Sequence, residues 1–490
     1  MAQTAYIPLT IACTLALTLA ACGDDSTTTI SAGGTSTAPT GVSDPSTSAT
    51  GSASESVPTE GGVTDGHSGT TASTDVAVTS SGPGSEPGTS TGPGTGAEST
   101  TSALDDTGGT TMASLGSSTG DPPMDLPPDN CEVKCGNSDW SYVWIANSGE
   151  NTLSKLDTRL MTEEGRYYTR PDHLGLPSRT SVSIDGKAVV VANRVGGGIT
   201  KVWARKEYCA DKNGNGMIDT STGKNNVLPF DQDECIAWHT PFPGASTQRP
   251  VAWTSGVYNN QTCEYDDQKI WTAASYGTTD CNGADGIYVY RLNGDTGVVE
   301  DTVHLPNISC GLLGAYGAAV DSGNNVWFFV FGGGVIFRVD YETLEHEVVN
   351  KGFYGITVDT KGRVWLDDGS RYDPVSKQWA LQIGDLQPNG GSGVAQDLEG
   401  RIWHATQGGI GWVDSETMQV GGKVLLPNQG LARGIGVDVD GYIWAVILGG
   451  TVAYRIHPDT FEIAQYDGLN QPYTYSDMAG GQINNVICPQ

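Results

Sequence analysis

From Tyr316 onward, apolar and polar residues alternate in runs of five or six, each closed by Asp and Gly turn residues. Four windows superpose: Tyr316–Trp327 (YGAAVDSGNNVW), Tyr354–Trp365 (YGITVDTKGRVW), Ser392–Trp403 (SGVAQDLEGRIW) and Arg433–Trp444 (RGIGVDVDGYIW). Their tryptophans stand 38, 38 and 41 residues apart. Each window reads as a strand of period two, an Asp/Gly turn, and a second strand opening with Val or Ile and then Trp, which is a β-hairpin. A third strand follows, as in VIFRVD, GIGWVD and VAYRIHP. A four-stranded unit returning every ~40 residues predicts the blade of a β-propeller. A β-sandwich has similar strands but no reason to return a tryptophan in register.

Weaker copies precede these four. Arg179 opens RTSVSIDGKAVVVAN, with Val190 where the tryptophan would stand, and Arg249 opens a strand paired with KIWTAA at Trp271. The first blade begins abruptly at Tyr142 (YVWIANS), and its missing strand is expected from Tyr475–Gly481 (YSDMAGG) at the other end of the chain, closing the ring. The fold class is therefore all-β: a seven-bladed propeller over residues 129–490, with an insertion at 205–248. The repeating tryptophans are read as packing between blades.

Residues 1–128 have another character. Residues 7–21 form an apolar run of signal-peptide length, too short to span a bilayer comfortably. Residues 22–128 are rich in Ser, Thr, Gly and Pro and cannot bury enough apolar surface to offset their ordering entropy. They read as a tether, with a coil span of roughly 50–60 Å. The first basic residue of the chain is Lys134; 42 of the 56 acids then face all 26 bases, a net charge of −16 on residues 130–490. An acidic chain argues against nucleic-acid binding and against a polybasic membrane contact.

Eight of the ten cysteines follow the leader and tether: Cys131, Cys135, Cys209, Cys235, Cys263, Cys281, Cys310 and Cys488. An even set in an exported chain suggests disulfides. The expected pairs are Cys209–Cys235 and Cys263–Cys281, with Cys488 joined to Cys131 or Cys135.

Two constellations carry candidate chemistry. Asp211, Asn213, Asn215, Met217 and Asp219, with Gly216 at the turn, follow the opening of a calcium loop, the Met217 carbonyl contributing. Thr222 stands at the twelfth position in place of Glu, leaving Asp231, Asp233 or Glu234 to supply the last carboxylate. The expected role is a structural Ca²⁺ that orders the insertion; the alternative is a polar turn without an ion. The second constellation is the residue entering each innermost strand: Tyr475, Arg179, Arg249, Tyr316, Tyr354, Ser392 and Arg433. A ring of arginines and tyrosines suits an anionic small molecule or a glycan. Alternatively, each arginine pairs with a nearby acid such as Asp477.

Leu19-Ala20-Ala21-Cys22 resembles the lipobox of bacterial lipoproteins, although the stretch before the apolar run has no Lys or Arg. The resemblance implies acylation at Cys22 and an envelope protein, at the outer membrane or cell surface, touching the membrane through its anchor only. The motif G-x-x-V-D-x-x-G-x-[VI]-W resembles the seven-bladed streptogramin (virginiamycin B) lyase group and the related NHL and SMP-30-like propellers. That family opens cyclic depsipeptides by elimination with a His/Glu set and Mg²⁺. At the family's Glu position this chain has Asn147, Asn193, Ala274, Val330, Asp368, Thr406 and Ile447, so Asp368 is the sole carboxylate. His404 is the histidine of interest, either a general base or a satisfied core residue. The expectation is a monomeric binding lipoprotein without evident catalytic machinery, engaging an anionic ligand or another envelope protein. The alternative is a lyase using His404 and Asp368.

Overall fold

The computed structural model describes residues 139–278, 281–381 and 391–487, except the side chains of Ser476 and Asn485. The leader, Cys22, the tether, Cys131, Cys135 and Cys488 lie outside the described residues. Seven sheets, antiparallel throughout except for one parallel pair in blade 2, follow one another along the chain as the blades of a propeller. Blade 1 has three strands (Tyr142–Asn147, Thr152–Asp157, Thr162–Tyr168), and blades 3 to 7 have four each. Among the described residues no helix is long and apolar enough to cross a membrane.

The repeat motif has a local physical reason. In blade 5, Asp359 Oδ1 accepts the turn amides of Lys361 and Arg363, both at 2.9 Å, while Oδ2 accepts the Trp365 indole N–H at 2.8 Å. Asp397 and Asp438 hold Trp403 and Trp444 in the same way at 2.8 and 2.9 Å, and Asp321 holds Trp327 at 3.3 Å. One carboxylate thus closes the hairpin turn and anchors the large side chain of the next strand. The glycine of D-x-x-G takes a positive φ (77° at Gly362, 82° at Gly400 and Gly441), which only glycine adopts at no steric cost. Trp144, Trp271, Trp327, Trp365, Trp403 and Trp444 are all completely buried.

The expected fourth strand of blade 1 is corrected: blade 1 keeps three strands, and the regular strand at the chain end joins the sheet of blade 2. Tyr473 N–H donates to Ala146 O and Trp144 N–H to Met478 O, so residues 472–478 run beside the first strand of blade 1. Within that stretch, however, the regular strand Tyr475–Ser476 pairs parallel with Arg179–Thr180 of blade 2. The segment is a wedge shared by two blades. A short helix, Gly481–Ile487, follows it and was not expected from the sequence. Asp477 starts this helix, accepting the Gly480 N–H at 2.7 Å.

The wedge occupies the middle of the ring. Tyr475 approaches Gly317 of blade 4 and Gly393 of blade 6, and Met478 lies against Gly434 and Gly436 of blade 7. A Cβ at Gly434 would meet Met478 Sδ, Thr474 Cγ2 and Thr474 O, each at 3.0 Å. Gly434→Ala is therefore expected to destabilise the propeller by about 1–3 kcal/mol through overpacking, read from the midpoint of urea unfolding. An unchanged midpoint would mean that the chain end is not held there in solution.

Cys209 and Cys235 are bonded, clasping the insertion as expected. The second expected pair is corrected: Cys281 bonds Cys310, not Cys263. Cys310 lies just before the inner strand of blade 4, so this bridge ties blade 3 to blade 4 rather than closing a local loop. Cys263 is disulfide-bonded as well.

Candidate functional site: an arginine–tyrosine cage

Each innermost strand delivers its entry residue to the same end of its blade, and six of the seven ring positions meet around the chain end. Arg179 lies over the rings of Tyr475, Tyr316 and Tyr473 at 3.3, 4.7 and 5.1 Å. Arg249 lies over Tyr316 at 4.8 Å, and Arg433 over Tyr354 and Tyr473 at 5.0 and 5.6 Å. The Tyr475 hydroxyl donates to Tyr316 O at 3.0 Å. Ser392 belongs elsewhere: its hydroxyl donates to Asp367 Oδ1 at 2.6 Å.

Two members of the cage were missed in the sequence. Tyr473 places its hydroxyl against those of Tyr316 and Tyr354, the latter at 3.2 Å. Arg194 lies over the Tyr473 ring at 4.8 Å. The signal for Tyr473 was its position two residues before Tyr475, alternate positions in an extended segment sharing a face.

The electrostatics of the cage are one-sided. Arg179 donates to the Tyr316 and Ser178 carbonyls, both at 3.2 Å, yet its Nη2 has no hydrogen-bond partner, and neither do Nε and Nη1 of Arg249. Neither arginine forms an ion pair with a carboxylate among the described residues. Asp477 is not their counter-ion, because its carboxylate is turned to the amides of the terminal helix, and burial pushes it up to about 6 despite them. Burial pushes the Tyr473 phenol up as well, but Arg179, Arg249 and Arg433 outweigh it and bring the group down to about 7. Cation–π contacts return about 0.5–2 kcal/mol each. An uncompensated buried charge costs several kcal/mol, and among the described residues Arg179 and Arg249 have no carboxylate to offset it.

The two candidate catalytic residues are not brought together. Asp368 turns to Lys351, at 3.5 Å, and to Ser370. His404 is fully buried, its Nδ1 stands 3.7 Å from Asp367 Oδ1, and neither ring nitrogen has a hydrogen-bond partner. Asp367 itself accepts the N–H groups of Gly391 and Ser392.

In the insertion, Asp211 Oδ1 accepts Gly214 N–H at 2.7 Å and Oδ2 accepts Gly216 N–H at 2.8 Å. The side chains of Asn213 and Asn215 both converge on Asp219 Oδ2, at 2.9 and 2.8 Å. Both contacts are donated by the Asn side-chain NH₂ groups, while the Oδ1 atoms of Asn213 and Asn215 accept the N–H groups of Asn215 and Met217. Of the three candidates for the last carboxylate, Glu234 holds the amides of Lys212, Asn213 and Asp219, and Asp233 holds Thr220 and Ser221. Asp231 is exposed.

No family model matches the chain. No curated protein matches it. Among solved structures it is similar to selenomethionine-substituted virginiamycin B lyase from Staphylococcus aureus, at 18% identity and TM-score 0.35 over 43% of this chain and 72% of that one. A streptogramin B lyase structure aligns at 20% identity and TM-score 0.34, over 41% of this chain and 65% of that one. A putative 6-phosphogluconolactonase from Bacteroides uniformis aligns at 12% identity and TM-score 0.45, over 68% and 98%. Such scores carry no argument about activity, and the seven-bladed propeller rests on the sheets described above.

Proposed function

We propose that the propeller binds an anionic small molecule or an acidic glycan in the arginine–tyrosine cage, and that lipidation at Cys22 anchors it to the cell envelope. The observation that carries the reading is the set of buried guanidinium donors on Arg179 and Arg249 that have no hydrogen-bond partner and no carboxylate beside them among the described residues. Planar, always-charged guanidinium groups match carboxylate, sulfate or phosphate, and the tyrosines supply flat walls for a sugar ring. Neither His404 nor Asp368 contributes a contact to the cage, which favours binding over elimination.

Thermal denaturation against a panel of organic anions, sulfated glycans and uronate oligosaccharides tests the reading. A ligand that binds only the native state stabilises it by about 2.7 kcal/mol at a hundred times its Kd. Stabilisation by at least one anion, lost in Arg179→Ala/Arg249→Ala, is expected. A panel without any shift would sink the binding site.

The loop from Asp211 to Asp219 is proposed as a structural Ca²⁺ site, supported by the calcium-loop spacing of Asp211, Asn213, Asn215 and Asp219 and by the hydrogen bonds that bring the last three together. Calcium at a hundred times Kd is expected to stabilise the protein by about 2.7 kcal/mol, reversed by EDTA. Asp211→Ala should remove that response; a calcium response that survives it would place the ion elsewhere.

A further inference from the structure

Apart from the cage, a cavity of about 550 Å³ opens between blade 1 and the insertion. Its lining includes Tyr142, Lys155, Glu164, Tyr167, Ser221 and Thr222. A volume of this size holds a small ligand. Lys155 is the unusual member. Its side chain is 9% exposed, and Nζ donates to Ala204 O at 2.9 Å. The same ammonium lies 4.7 Å over the Tyr142 ring and only 3.5 Å from Glu164 Oε2. The walls are firmly held: Tyr167 is buried, Asp233 fixes Thr220 and Ser221, and the Cys209–Cys235 bridge reaches the cavity edge.

We propose that this cavity is a binding site for a polar aldehyde or ketone, in which the Lys155 amine forms a reversible Schiff base with the carbonyl and Glu164 relays the protons. An amine attacks only when it carries a free electron pair, and burial favours that form. Burial lowers Lys155; Glu164 opposes the shift in part, and Arg205 adds to it. The nitrogen pair forms the C–N bond while the carbonyl π pair moves to oxygen. Proton transfers through Glu164 convert that oxygen to water, which leaves as the C=N bond closes. One amine and one carbonyl give one imine and one water, with no oxidant or reductant. The wall residues suit the carbonyl's substituents: Tyr142 and Tyr167 for an apolar or ring face, Thr222 for a hydroxyl.

The test is reductive trapping on the full chain with glycolaldehyde or glyoxylate and cyanoborohydride at pH 7, with labelled lysines located by peptide mass spectrometry. Lys361 and Lys377, whose side chains are 59% and 66% exposed, report ordinary reactivity. Lys201 reports burial without the cavity: burial lowers it to about 8, but its ammonium is packed over Trp203 at 3.9 Å and bonded to Gly294 O at 2.9 Å. Labelling of Lys155 at least tenfold faster than at all three is expected. Glu164→Gln should slow it at least tenfold, within the range typical of a positioned proton donor. Labelling of Lys155 no faster than of Lys361 and Lys377, or equal labelling of Lys155 and Lys201, overturns the proposal. Because the comparison is made within the wild-type chain, it does not depend on any variant folding.

Discussion

Arg249→Met is expected to make the ligand-free protein more stable while removing its affinity for anions. Arg249 is buried, two of its donor nitrogens have no partner, and its contact with Tyr316 is with the ring face. Methionine keeps the length and a favourable sulfur–ring contact without a charge to desolvate. Replacing buried ions by apolar residues of similar volume often stabilises by about 1–4 kcal/mol, and that is the expected gain in urea unfolding at pH 6. The gain depends on pH through Tyr473. Its native pKa of about 7 lies below the ordinary 10.0, so its ionisation stabilises the fold fully above pH 10, and the contribution is lost as pH falls through 7. Below 7 the phenol is neutral and Arg179 and Arg249 face no carboxylate among the described residues, so removing one helps most. Above 7 the phenolate is a counter-charge, and the gain from Arg249→Met should shrink. The same substitution should move the Tyr473 titration, followed by phenolate absorbance, upward from about 7. Anion affinity should fall at least tenfold, since losing one partner of a buried charged contact costs about 2–5 kcal/mol. A variant less stable than wild type at pH 6 would show that Arg249 is a structural plug, and the cage would lose its claim to a ligand.

Much of this was legible in the sequence because a propeller writes the same local problem several times. Asp359, Asp397 and Asp438 solve one turn with one set of bonds, so the spacing from aspartate to glycine to tryptophan recurs and gives the blade count. The positions entering the inner strands were legible for the same reason, and Arg179, Arg249, Tyr316, Tyr354 and Arg433 do converge. What escaped lies in the part of the chain that is not repeated. Residues 472–487 have no periodic copy to align with, so the parallel pairing of Tyr475 with Arg179, the terminal helix and the place of Tyr473 had no sequence counterpart. The glycines after the entry residues were visible but unexplained: Gly317, Gly393 and Gly434 leave room for that segment. The misread disulfide has a similar origin. Cys263 and Cys281 are near in sequence, but Cys281 stands at the boundary with blade 4, where Cys310 enters.

Asp359→Ala should be the most damaging single change in the repeats, with an expected loss of about 3–5 kcal/mol. The side chain is fully buried and accepts four donors: the amides of Lys361 and Arg363, the Arg363 Nε at 2.7 Å, and the Trp365 indole. Alanine removes the acceptor from all of them. The indole N–H is left in a closed core, where an unsatisfied donor costs about 1–3 kcal/mol. The guanidinium is less exposed to loss, because Arg363 also reaches Glu416 at the surface. Asp359→Asn separates the contributions: one amide oxygen can still accept the turn N–H groups, but its NH₂ then faces the indole and the guanidinium, donor against donor. It should therefore cost less than alanine and still more than 1 kcal/mol. Asp373→Ala is the control, since that carboxylate also accepts turn amides, from Val375 and Ser376, but at an exposed site. Its expected cost is about 0.5–1 kcal/mol, the net worth of ordinary hydrogen bonds in water. If Asp359→Ala cost no more than Asp373→Ala, the buried bond to tryptophan would not be what holds the blade, and the motif would reduce to its turn. A large gap between the two would explain why aspartate and tryptophan travel together through blades 4 to 7 while the residues between them vary.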